Sequence, residues 1–301
     1  MSDQVWVAGE VLIDLIPNGD QYFAVVGGGP ANTAKALANL GLKTHFIDGI
    51  STDNYGQMAK AELLSANVLL DYAKYSSKPT CRAKINLSKS GSAAYEFVIE
   101  GTATFNFSDL WLPDPQSLKP SLLHIGTLAT VIEPGASVLF EWAQRVAHVA
   151  PIIFDPNIRP AVLGNRDEYL KKVEKWVAIS SAVKVSDEDL SWLYPGKVID
   201  EIVNKWIEVG LELVVVTLGE KGITAYRKNE QVSVAAVKVV VADTVGAGDT
   251  VGAVLVEATI KSGLDKLTGD VLKTILNRAV KAAAITVSRT GANPPSKEEI
   301  D

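Results

Sequence analysis

Cysteine is almost missing from this sequence: Cys81 stands alone in 301 residues. No intrachain disulfide can form and no thiolate cluster can hold zinc, which suits a reducing cytoplasm. Histidine is nearly as scarce, and His45, His124 and His148 show no metal-ligand spacing. Charge of one sign never accumulates. The 29 Lys and Arg are set against 35 Asp and Glu, a net charge of −6, with no block of five or six like charges. A nucleic-acid backbone or an anionic membrane is therefore an unsuitable partner. Long apolar runs are absent as well. No 18-residue apolar stretch offers a membrane span, and the opening MSDQVWVAGE lacks the basic segment and apolar run of a signal peptide. Nor does Gly-x-x-x-x-Gly-Lys-Ser/Thr occur, so a P-loop nucleotidase is disfavoured.

What is present is the composition of an ordinary globular protein, 47% hydrophobic and 21% charged. Short β-branched or apolar runs at 5–9, 44–50, 121–126, 151–157, 182–186 and 211–219 are each followed by a stretch of helical periodicity. This alternation predicts an α/β fold, a mostly parallel sheet with helices on both faces. Such sheets bind ligands beyond the carboxyl ends of their strands. Here those ends carry Gly9, Asp48, Gly126, Asp155 with Asn157, Ser186, and Thr217 with Gly219, all small or polar. Two segments, 11–26 and 73–105, read as strands without intervening helices, and they predict a small antiparallel sheet serving as a lid on a single domain of residues 1–301. The region 226–241 also reads as strand, followed by helices at 249–262 and about 268–288 and a polar tail.

Two glycine clusters carry the chemistry. In Asp243-Thr244-Val245-Gly246-Ala247-Gly248-Asp249, the glycines allow a tight turn in which successive N–H groups converge at the start of an apolar helix. That point attracts phosphate oxygens. A Cβ at Gly248 would crowd it or oppose a positive φ. Asp249 would compete with phosphate unless it faces a second substrate as a general base; the plainer alternative makes it part of a helix cap. A loose dinucleotide fingerprint through Gly246, Gly248 and Gly252 lacks the later strand and acidic residue that it needs. In Gly27-Gly28-Gly29-Pro30-Ala31-Asn32, bare backbone precedes a helix whose first turn carries an amide, and with Asp14 it forms a set suited to sugar hydroxyls. The plainer alternative is a loop entering a helix.

These clusters, 217 residues apart from Asn32 to Asp249, together with Asn277 and Arg289-Thr290-Gly291-Ala292, resemble the pfkB, or ribokinase-like, family of carbohydrate kinases over essentially the whole chain. GEVLIDLIP at 9–17, EGTATFNFS at 100–108, DPNIRP at 155–160 and KVSDEDL at 184–190 resemble its fructokinase branch most. The resemblance implies a ribokinase-like fold and an ATP- and Mg²⁺-dependent sugar kinase acting on a primary hydroxyl. It implies Asp249 as catalytic base, with the amides of Gly246, Ala247 and Gly248 as an anion hole. Asp14, Gly28, Gly29 and Asn32 would hold the sugar, with Arg159 reaching sugar or phosphate. Lys184, Thr217, Gly219, Gly222 and Asn277 would belong to the nucleotide site. Asp243 and the Val245 carbonyl match a monovalent-cation loop for K⁺, a simple turn being the alternative. The family's Asn-x-x-Glu element appears as Ser186-Asp187-Glu188-Asp189, leaving open whether Asp189 replaces the glutamate. A homodimer through the lid is a further expectation. A 2-keto-3-deoxygluconate kinase is the alternative within the family; a nicotinamide-dependent dehydrogenase and a non-catalytic sugar-binding regulator are those outside it.

Overall fold

A computed structural model describes residues 4–19, 21–87 and 93–301. In chain order it holds β1 (Gln4–Ala8), β2 (Leu12–Asn18), β3 (Gln21–Gly27), α1 (Gly29–Asn39), β4 (Lys43–Ile47), β5 (Gly49–Ser51) and α2 (Asn54–Ser65). There follow β6 (Lys74–Ser76), β7 (Arg82–Leu87), β8 (Ala93–Val98), α3 (Pro115–Leu118), β9 (Leu122–Gly126), α4 (Gly135–Ala147), β10 (Ile152–Asp155) and α5 (Arg166–Val177). The remainder is β11 (Ala182–Ser186), α6 (Asp187–Leu193), α7 (Ile199–Glu208), β12 (Leu213–Thr217), β13 (Ile223–Arg227), β14 (Glu230–Val234), α8 (Ala247–Ser262), α9 (Gly269–Val287) and α10 (Lys297–Ile300).

The main sheet runs β14-β13-β12-β11-β10-β9-β1-β4. From β4 to β12 every pairing is parallel, and β13 and β14 close the edge antiparallel. Both faces are covered, so successive residues alternate between two cores rather than between core and water. In β1, Trp6 and Ala8 enter a core with Trp142, Trp176 and Trp206, while Val5 and Val7 pack with α1, α8 and α9. Among the described residues no helix is long and apolar enough to cross a membrane.

The expected second sheet is present, in the order β3-β2-β7-β8, but it is not wholly antiparallel. β2 pairs with β7 in parallel, Ile13 opposite Arg82 and Leu15 opposite Lys84. The connection explains it: the chain passes through β3, α1, β4, β5, α2 and β6 before β7 begins, a long crossover rather than a hairpin. Residues 74–76 belong instead with β5, 99–105 form no strand, and 88–92 of the expected segment lie outside the described residues. The strand reading of 226–241 likewise stops at Val234, and Val240 is almost fully exposed.

Candidate active site

The second glycine cluster opens α8. Gly246 is the N-cap at φ 83°, and a Cβ on it would fall 2.9 Å from that of Ala292. Both its left-handed backbone and its close approach require glycine. The positive φ expected at Gly248 therefore belongs to Gly246. Gly248 is already helical, and a Cβ there would meet the Lys184 Nζ at 3.0 Å.

Asp249 does not cap its helix. Its carboxylate is buried, and Oδ2 accepts a hydrogen bond from the Asn32 Nδ2 on the first turn of α1 at 2.9 Å. This contact ties the two glycine clusters together. Gly29 makes the approach possible, since a Cβ on it would lie 3.2 Å from Asp249 Oδ1, 2.9 Å from Asn157 Nδ2 and 2.8 Å from the Thr127 methyl. At Gly28, φ 107° and the Glu10 carbonyl, 2.4 Å from a built Cβ, demand glycine again.

Asp155 ends β10, and Lys184 lies in the middle of the neighbouring β11. They form an ion pair of 2.6 Å with both side chains buried, and Asp155 Oδ1 has no hydrogen-bond partner among the described residues. Burial pushes the Asp155 carboxyl up against the opposing pull of Lys184. Burial also disfavours the Lys184 ammonium, but Asp155, Asp249 and Asp189 hold it above its ordinary value. Asp249 is raised by burial, an effect reduced by Lys184, the Asn32 bond, Arg159 and Lys35. A raised carboxylate within reach of a cation is suited to taking a proton near neutral pH.

Near the start of α1, Asp14 is half-buried on β2, its Oδ2 against Gly27. Burial pushes it up to about 6, and Arg159 opposes that shift. Arg159 is exposed, with its backbone N–H on the Tyr169 hydroxyl at 3.2 Å and Nη1 on the Ile158 carbonyl at 3.0 Å. Asp189 anchors this loop: its Oδ1 accepts from Ile158 N at 2.9 Å and it completes a capping box with Ser186. Both carboxylate oxygens thereby have backbone partners.

The remaining expected residues are arranged around this cluster rather than in it. The Thr217 hydroxyl, at the end of β12, contacts the Val185 carbonyl at 3.5 Å. Gly219 adopts φ 56°, and at Gly222 a Cβ would strike the Val234 carbonyl at 2.1 Å, so a glycine is needed where β13 meets β14. Asn277 is exposed on α9, a helix packed on α8 and β14. Asp243 braces its loop, accepting from Val245 N and Gly291 N, each at 3.0 Å.

Sequence reasoning overlooked Glu10 and treated Asp48 only as a polar strand end. Glu10 is buried, receiving the Thr127 hydroxyl and the N–H groups of Leu128 and Ala129. Asp48 accepts from Val11 N at 3.1 Å and Phe105 N at 3.3 Å. Together they hold the backbone beside the site, where Thr127 and Asn157 have φ of 55° and 40°. A left-handed β-branched residue survives only when its surroundings enforce it. An acid directly after a core strand was the available signal.

The pfkB family carbohydrate kinase model matches residues 2–299. A fructokinase of Rhizobium leguminosarum bv. trifolii is 35% identical over 247 residues, covering 80% of this chain and 75% of that protein. A probable fructokinase-4 of Arabidopsis thaliana is 30% identical, with 97% of this chain and 94% of that protein covered. Among solved structures, fructokinase of Vibrio cholerae O395 with fructose, ADP and calcium bound superposes with a TM-score of 0.86 at 27% identity, over 96% of this chain and 94% of that one. An ATP-bound fructokinase of Xylella fastidiosa reaches a TM-score of 0.91 at 22% identity, over 100% and 97%, which speaks for the fold. With a family model spanning nearly every residue and Asp249 set against Asn32, the chain belongs to the pfkB family of carbohydrate kinases.

Proposed function

We propose that this protein is a fructokinase, transferring the γ-phosphoryl group of ATP to a primary hydroxyl of fructose. The observation that carries the reading is the Asn32–Asp249 contact. It sets a buried carboxylate between a polar sugar-binding edge and a helix N-terminus with Lys184 beside it. Asp14, Asn32 and the backbone of Gly28 and Gly29 hold the sugar. Asp249 takes the hydroxyl proton as the oxygen attacks phosphorus. The amides of Gly246, Ala247 and Gly248, with Lys184 and Arg159, stabilise the charge on the phosphoryl oxygens. Mg²⁺ held on the nucleotide phosphates would supply charge neutralisation there. Thr217, Gly219, Gly222 and Asn277 line the nucleotide side.

The Asp243 carboxylate and Val245 carbonyl are oxygen donors of the kind that K⁺ prefers, and Asp243 is already fixed by two N–H groups. Asp189 is occupied with the Arg159 loop, which favours positioning over a metal role. The whole chain acts as one ribokinase-like domain, the β3-β2-β7-β8 sheet serving as its lid. The cross-strand pair Ile16 and Phe23, both exposed, favours a second copy docking on that sheet. A monomer in sedimentation would remove that assignment. The lone buried Cys81 suits the cytoplasm.

A neutral ketose is favoured over a keto acid because a buried carboxylate ligand needs a cationic partner. Arg159 is the only Lys or Arg in segments 9–32, 97–107, 124–130 and 155–159, and Asp14 would repel an acid. Thr104, Thr127 and Asn106 bond Val11, Glu10 and Lys78 respectively, leaving Asp14 and Asn32 as the principal hydroxyl ligands. A coupled ADP-release assay over ketoses, aldoses, nucleosides and keto acids tests the proposal, with the highest kcat/KM expected for fructose. A higher value for 2-keto-3-deoxygluconate would reassign Arg159 to a substrate carboxylate. Sugar binding without ADP release would indicate a regulator, and a fluorescence change with NAD(P)H a dehydrogenase.

A further inference from the structure

Asn32, Lys35 and Asn39 lie along one face of α1 at spacings of three and four residues. Asn32 reaches Asp249. Lys35 Nζ reaches the Glu62 Oε1 of α2 at 2.6 Å and the Ala292 carbonyl at 3.5 Å. Asn39 Nδ2 reaches the Pro294 carbonyl at 3.0 Å. The loop gripped in this way also seats the anion hole, since Ala292 stands directly behind Gly246 and Gly291 N donates to Asp243.

Lys35 is costly where it is. Its side chain is 7% exposed against 37% for Glu62, and burying an ammonium opposite a single half-exposed carboxylate gains little stability. The neighbouring helix positions are filled by alanine and leucine without difficulty. We infer that Lys35 is a positioning residue: its ammonium ties the loop 290–294 to α1 and supplies a fixed positive charge, one turn from Asn32, that keeps Asp249 available as a base. The inference rests on the reading of Asp249 as base.

The groups around Asp249 are Asn32 and Lys35 from α1, Lys184 from β11, Asp155 from β10 and Arg159 from the loop after β10. Lys184, though paired with Asp155, exerts the largest of these pulls on Asp249, followed by Arg159, which is exposed and screened by solvent, and then by Lys35. Lys35 itself contacts Glu62 of α2 and the Ala292 carbonyl, and its charge reaches Asp249 only at longer range, past Asn32 on the preceding turn. Removing Lys35 therefore takes a cation from Asp249, whereas neutralising Glu62 uncovers one. The two changes have opposite signs.

The test is the pH profile of kcat for the full-length enzyme and its Lys35→Met, Lys35→Arg and Glu62→Gln variants, with Tm measured alongside. Lys35→Met should move the acid limb to higher pH and Glu62→Gln to lower pH. A displacement of about half a pH unit makes a roughly threefold loss or gain at a fixed pH on that limb. Lys35→Arg should keep the wild-type limb. A limb that stays in place in both neutralised variants, or moves the same way in both, overturns the inference even if activity falls with Tm, because lost packing alone does not move a titration. If Lys35→Met fails to fold, Glu62→Gln decides by itself, and an unmoved limb refutes the charge role. Failure of the base reading has a different signature, an Asp249→Asn variant that retains turnover.

Discussion

Asp249 and Asp14 are two carboxylates near the start of α1, beside Gly29 and Gly27 respectively, and their surroundings differ. Asp249 is buried on a long helix of the main layer, bonded to Asn32 and faced by Lys184, Arg159 and Lys35. Asp14 is half-buried on a strand of the small sheet, with Arg159 as its opposing charge. Both are raised by burial, but only Asp249 has its surroundings fixed from α1, β10 and β11 together. On the proposed reading, the phosphoryl half of the site is built in advance, as electrostatic catalysis requires, and the sugar half is the one carried by the small sheet.

The largest test of this contrast is Asp249→Asn. The amide keeps the volume and can still pair with Asn32, but it cannot take a proton, so kcat should fall by roughly 10²–10⁴-fold with Tm and ATP binding nearly unchanged. Turnover within a few-fold of wild type would remove the base assignment.

A comparison of two glycines in the anion loop sharpens the claim that this half is rigid. At Gly246 a side chain meets both φ 83° and Ala292; strained backbone of this kind costs on the order of 1–3 kcal/mol. Gly246→Val should lose most activity and lower Tm together. At Gly248 the backbone is helical and the nearest obstacle is the flexible end of Lys184. Gly248→Ala should keep Tm and mainly weaken ATP use, by about tenfold if one charge-assisted hydrogen bond is displaced. Equal losses of Tm in the two variants would show that the loop is not strained as described.

The difference between the two halves also decided what the sequence could reveal. Strands such as AVKVS and LVVVT are buried on both faces, so continuous β-branched runs announced them, and β11 was expected with its observed bounds. That Asn32 and Asp249 belong to one site was implied by the family resemblance alone, since glycine and a polar residue at a helix start fit a loop and a cap equally well. Other features were settled only by tertiary contacts. The parallel pairing of β2 with β7 follows from the crossover, Gly246 rather than Gly248 takes the positive φ because Ala292 stands behind it, and Asp189 turns to Ile158. Lys35 was hidden for a similar reason, since a lysine on an amphipathic helix ordinarily faces water, and its carboxylate partner lies on another helix.

The smallest expected effect, and the one that separates the halves most cleanly, is the pH dependence of sugar binding. In its proposed role, Asp14 would accept hydroxyl hydrogen bonds as a carboxylate and lose that capacity when protonated. Its value of about 6 therefore means that KM for fructose should rise as pH falls through 6, the deprotonated form being the binding one. As the proposed base, Asp249 would act in the chemical step, so its protonation should appear in kcat at saturating sugar instead. Asp14→Asn should raise KM about tenfold, the equivalent of one hydrogen bond to a charged group, while kcat stays within a few-fold and KM no longer changes near pH 6. If the variant keeps the wild-type rise in KM, Asp14 is not the group that titrates. If kcat falls as far as in Asp249→Asn, the two carboxylates share one role and the division between a phosphoryl half and a sugar half is wrong.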